Sequence, residues 1–111
     1  MDEILDIFNI DMLNNYDLSL GNYNSVSQNI SNCSLYSMQY VWSVTTGTIT
    51  VTISASNNDK DFVAFDTFIP SALAGNRMVN IEKAGYKFFR VEVTASGATG
   101  LIMAIANGKN N

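Results

Sequence analysis

Leu35 to Ser56 read LYSMQYVWSVTTGTITVTISAS. Tyr36, Met38, Tyr40 and Trp42 fall on one side of an extended chain, with Ser37, Gln39 and Ser43 on the other. After Thr45-Thr46-Gly47 the alternation resumes: Ile49, Val51, Ile53 and Ala55 against Thr48, Thr50, Thr52, Ser54 and Ser56. Successive side chains of a strand point to opposite faces, so period-two patterning marks half-buried strands. Two such runs, rich in β-branched and aromatic residues and separated by a glycine-containing segment, predict a β-hairpin turning near Gly47.

Further strands follow on either side. Tyr16–Leu20 alternates, and Gly21-Asn22-Tyr23-Asn24 has turn composition. Residues 25–30 form a weaker strand, and Asn57-Asn58-Asp59-Lys60-Asp61 a polar turn. Phe62–Ile69 is apolar and aromatic, and Pro70 ends it because proline cannot donate to a sheet ladder. Residues 71–76 read as a loop with room for one helical turn, and Arg77–Glu82 as a short strand. Tyr86–Thr94 places Phe89, Val91 and Val93 on one face, and Ser96-Gly97-Ala98-Thr99-Gly100 reads as a hairpin turn into Leu101–Ala106. Seven or eight strands at this spacing predict an all-β fold, an antiparallel two-sheet β-sandwich of jelly-roll type over residues 16–111.

Residues 1–15 have a different character. Ile4, Leu5, Phe8 and Met12 stand at helix-compatible spacings, and Asp2 and Glu3 would complement the dipole of a first turn. A short N-terminal helix or arm is expected, too short to be stable without something to pack on. Those four apolar residues are its expected docking face.

Charged residues are only 14% of the 111, against ~25% in an average domain. Asp2, Glu3, Asp6, Asp11 and Asp17 precede the first base, Lys60, and the six lysines and arginines form no cluster. A nucleic-acid partner is not expected, because phosphate recognition needs grouped cations. No apolar run approaches a membrane span, and the acidic N-terminus does not read as a signal peptide, so no membrane partner is expected either. Cys33 is the single cysteine and reads as a small buried hydrophobe; there is no histidine. With one cysteine and no histidine, a thiolate zinc site or a histidine-activated nucleophile cannot be assembled.

Three patterns have the residue types of a site. Asn57, Asn58, Asp59, Asp61 and Asp66 offer oxygen ligands to calcium, but the spacing fits no EF-hand and a self-bonded polar turn explains it. Glycoside hydrolysis needs two acids across one cleft, and among Asp61, Asp66, Glu82 and Glu92 the last is better explained as a structural pair with Arg90. Tyr36, Tyr40, Trp42, Tyr86 and Phe88 would make a sugar-stacking platform if exposed, but alternation sends the row from Tyr36 to Trp42 inward. No enzymatic activity, cofactor or metal is expected.

The order of segments resembles small virion structural proteins of double-stranded DNA bacteriophages. The resemblance rests on Tyr36-Ser37-Met38-Gln39-Tyr40-Val41-Trp42, Thr46-Gly47-Thr48, Ala55-Ser56-Asn57-Asn58-Asp59, Tyr86-Lys87-Phe88-Phe89-Arg90-Val91 and Ser96-Gly97-Ala98-Thr99-Gly100. It spans roughly residues 17–107 and departs at Asp61-Phe62, where the family usually carries Asn-Trp. It implies a non-enzymatic head-decoration, auxiliary capsid, spike or tail-associated protein, located in the virion. Its implied partners are the major capsid or other virion proteins and copies of itself in a homo-oligomer. A carbohydrate- or host-surface-binding module of the same sandwich class is the alternative.

Overall fold

The computed structural model describes residues 5–31, 33, 35–82 and 86–110. Seven strands form one antiparallel hydrogen-bonded sheet: β1 (Leu5–Asp17), β2 (Tyr23–Asn24), β3 (Gln28–Asn29), β4 (Leu35–Ser56), β5 (Val63–Phe68), β6 (Ala74–Glu82) and β7 (Phe88–Asn110). The all-β expectation holds, with one sheet in place of two separate ones.

Neither predicted hairpin exists. Leu35–Ser56 is a single strand of 22 residues and Phe88–Asn110 one of 23, and they pair with each other from Leu35↔Lys109 to Ser56↔Phe88. Drawn straight, 22 residues would run ~70 Å, yet the longest dimension of the molecule is 48 Å. The ribbon therefore folds over. Tyr36 and Phe89 sit near opposite ends of it, and their rings stack 4.9 Å apart. One half-layer has the order β6-β4-β7-β1; the other places β5 on β4, and β2 and β3 on β7.

Glycines set the fold line. Gly47 (φ 78°) and Gly100 (φ 121°) both adopt the left-handed half of backbone space. A Cβ on Gly47 would lie 2.6 Å from Ala98 Cα, and one on Gly100 would strike the Ser43 carbonyl oxygen. Only a residue without Cβ lets the two backbones cross this closely. The β4–β7 register slips between Val44 and Thr46 and again between Thr46 and Thr48. Buried apolar positions accordingly switch from even (Tyr36 to Val44) to odd (Ile49 to Ala55) on β4, and from odd (Phe89, Val91, Val93) to even (Ala98 to Ala106) on β7. Each switch keeps the apolar side facing inward on both sides of the fold, as a one-residue slip must.

The N-terminal segment is a strand, not a helix. β1 pairs with β7 from Leu5↔Asn110 to Asp17↔Leu101 through three irregularities. Met12 and Leu13 are buried in the common core, with Ile10 and Tyr16 packed against it. A one-turn 3-10 segment, Leu18–Leu20, follows; Asp17 caps it by accepting from the Ser19 amide at 3.0 Å and hydroxyl at 2.7 Å. Beyond it, the weak strand expected at 25–30 shrinks to β3, and the expected turn at 21–24 contributes β2; residues 25–27 separate the two. The buried Ser25 donates its amide to the Val91 carbonyl and accepts the Val91 amide on its hydroxyl, so its side chain completes the ladder. No helical turn occurs at 71–76, because β6 already begins at Ala74.

Candidate functional site

Of the four residues expected to dock the chain, Ile4 lies outside the described residues. Leu5 and Phe8 stand on β1 opposite Asn110 and Gly108. Met12 is 5% exposed, so its side chain is committed to its own core. The expected boundary between residues 15 and 16 falls inside β1.

The aromatic row is internal. Tyr36, Met38, Tyr40 and Trp42 are all buried. Trp42 tilts against Phe68, ring centroids 5.4 Å apart, and donates its indole N–H to the Ala72 carbonyl at 3.1 Å. Burial pushes the Tyr36 and Tyr40 phenols well above the usual tyrosine range; at Tyr40, Asp66 adds to the rise and Arg77 opposes it. Arg77 of β6 spans the two half-layers: its guanidinium lies 4.4 Å from the Phe68 ring centre and 3.3 Å from the Asp66 carboxylate on β5. Cys33 is half-buried against the core, and burial raises its thiol pKa.

The carboxylates that would serve catalysis are dispersed. Asp66 is paired with Arg77, and Glu92 with Arg90 at 2.9 Å, the structural pair expected from the sequence. Arg90 also lies over Phe62, 4.0 Å from the ring centre. Glu82 ends β6 opposite Leu35. The calcium candidate is a self-bonded turn. Asn58 Oδ1 accepts from the Ser56 hydroxyl and the Lys60 and Asp61 amides, and Asn58 Nδ2 donates to Asp61 at 3.0 Å. Asp59 accepts from the Ser27 hydroxyl. Among the described residues no three histidines, cysteines or acids group to hold a metal ion.

A cleft that the sequence did not reveal lies beside this turn. Its lining is Ala55, Ser56, Asn57, Asp61, Val63, Ala64, Phe65 and Tyr86, and its volume is about 380 Å³. A β-bulge builds one wall. Ile53 pairs with Asp66 but Ser54 with Ala64, so Phe65 is the extra residue of β5. Bulges re-aim side chains, and this one turns Phe65 toward the open end of the core. There Phe65, Tyr86 and Phe89 meet edge to face, with centroids 5.6–5.9 Å apart. Phe89 is fully buried, whereas Phe65 and Tyr86 are 43% and 41% exposed. On the opposite wall, Asn57 Oδ1 accepts the Lys87 amide at 3.1 Å, which ties the turn to the start of β7. The aromatic run Phe62–Ile69 was legible, but an extra residue in one strand leaves no mark of its own in a sequence.

No family model matches the sequence, and no curated protein matches it. Solved structures do. The crystal structure of the SPBc2 prophage-derived protein YomS is similar, with a TM-score of 0.75 at 12% identity, over 99% of this chain and 97% of that one. A chain from Bacillus endospore appendages, reported as a novel family of disulfide-linked pili, aligns with a TM-score of 0.54 at 16% identity over 97% of this chain and 89% of its own. A chain of infectious bursal disease virus, Gx strain, aligns with a TM-score of 0.53 at 14% identity over 96% of this chain and 32% of its own. At such identities the likeness is one of fold: the chain is all-β, antiparallel and jelly-roll-like.

Proposed function

We propose that the protein is a non-enzymatic structural component of a bacteriophage particle, a decoration, auxiliary or minor capsid protein that works through protein–protein contacts. The observation that carries this reading is the long outer strand β6, with β1 as the opposite outer edge. β1 and β6 each pair with one neighbour only among the described residues. Natural sheets blunt such edges with lysine, proline or a covering segment. β1 contains no lysine, arginine or proline in 13 residues, and β6 contains Arg77 alone. Along the outward face of β6, Met78 is 55% exposed, and Ile69 and Leu73 in the preceding loop are each 65% exposed. β1 is blunted instead by Asp6, Asp11 and Asp17 and by its three register irregularities, whereas β6 runs in unbroken register with one arginine and one glutamate in nine residues. An edge as lightly charged as β6 suits pairing with a neighbouring subunit, a symmetric copy or another particle protein. The likeness to a prophage-derived protein over nearly the whole of both chains supports the same reading.

Charging the β6 edge tests the proposal. Met78→Lys with Asn80→Lys alters outward positions without touching the core. The double variant is expected to melt within a few degrees of the wild type and to be lost from purified particles. Incorporation at wild-type copy number would overturn the assignment of the edge, and absence of the wild type from particles would overturn the structural role.

A further inference from the structure

We propose that the cleft between the 57–61 turn and the β5 bulge binds a neutral sugar residue of a surface glycan. The inference does not depend on the structural role; it concerns a different face of the molecule.

A hexose presents two kinds of surface, an apolar C–H face and a rim of hydroxyls. The cleft has a wall for each. Phe65 and Tyr86 supply aromatic surface exposed well beyond what core packing requires, and Phe89 holds both rings from behind. Facing them are Ser56, Asn57 and Asp61. Asn57 spends its carbonyl oxygen on the Lys87 amide, which leaves its NH₂ to donate. Asp61 receives Asn58 on Oδ2, which leaves Oδ1 to accept. A donor and an acceptor lining the same cleft can serve the hydroxyls of one sugar ring.

The polar wall is built before any ligand arrives. Asn58 fastens the turn through Ser56, Lys60 and Asp61, so little order remains to be imposed on binding. At about 380 Å³ the cleft lies toward the small end of the ~300–1,000 Å³ typical of small-ligand sites. A cationic ligand fits less well. The exposed rings meet at 80°, so they present an edge and a face rather than the several faces of a cage.

The test is a titration of ¹⁵N-labelled protein with glucose, galactose, N-acetylglucosamine and their short oligosaccharides, with tetramethylammonium as the competing chemistry. At least one sugar is expected to bind in the millimolar range or tighter and to shift the amides of residues 55–65 and Tyr86. Phe65→Ala and Tyr86→Ala should each weaken it at least tenfold, and Asp61→Asn about threefold or more. Should Phe65→Ala fail to fold, Tyr86→Ala and Asp61→Asn carry the test, since both residues are exposed. No shift with any sugar at 50 mM (roughly the concentration needed to see a ~10 mM complex) would overturn the proposal. So would shifts mapping elsewhere, unchanged affinity in the variants, or binding of tetramethylammonium alone.

Discussion

Two glycines and two tyrosines show how single residues decide this fold. Gly47 and Gly100 stand where β4 and β7 cross, and each combines positive φ with backbone inside the reach of a Cβ. Gly97 shares the positive φ but has open space around it. Gly47→Ala and Gly100→Ala should each cost ~2–3 kcal/mol or prevent folding, and Gly97→Ala ~1 kcal/mol; urea denaturation of the three variants separates the two effects. Tyr36 and Tyr40 make a prediction about pH. Their folded pKa values are raised by burial, so the stability they contribute is complete below the unfolded value near ~10. It is lost as pH rises from there toward the folded values. The phenolate absorbance of these two residues should therefore appear only as the chain unfolds in alkali, and Tyr36→Phe with Tyr40→Phe should remove that component. The Tyr40 hydroxyl is buried with no hydrogen-bond partner among the described residues, so Tyr40→Phe alone should leave stability unchanged or raise it by about 1 kcal/mol.

β1 is the element whose reading changed most. As a docking arm, residues 1–15 would be removable without harm to the domain. As a strand carrying the buried Met12 and Leu13 they are part of the core. Deleting them should lower the melting temperature by more than ten degrees or abolish cooperative unfolding, and Leu13→Ala should cost ~2–5 kcal/mol; thermal denaturation followed by circular dichroism checks both. The helix-like spacing of Leu5, Phe8 and Met12 was genuine, but Phe8, Ile10 and Met12 also alternate, and three asparagines weaken a helix. The free edge of β7 decided between them, and a sequence does not display a distant edge. The same limit hid the two long strands. Alternation in residues 35–56 and 88–106 was plain, and it correctly sent Trp42 and its row inward. A glycine-bearing break suits a hairpin turn and a folded strand equally. Only the pairing of Gly47 with a segment fifty residues on separates them, although the even-to-odd switch of buried positions was already written in the sequence.

At the scale of the molecule, one folded ribbon does the work usually divided between two sheets. Its inner face holds all three aromatic side chains of β4, and the Arg77–Asp66 pair spans the gap between the half-layers. Among the described residues the outside carries the outer edges of β1 and β6 and a cleft at the Phe65 bulge. On the proposed structural role the chain is phage-encoded, and quantitative mass spectrometry of gradient-purified particles of that phage tests the proposal most directly. The account predicts the protein in the particle at a fixed copy number that is a multiple of the particle's rotational symmetry. Intact particles without it, in a lysate that contains it, would contradict the account.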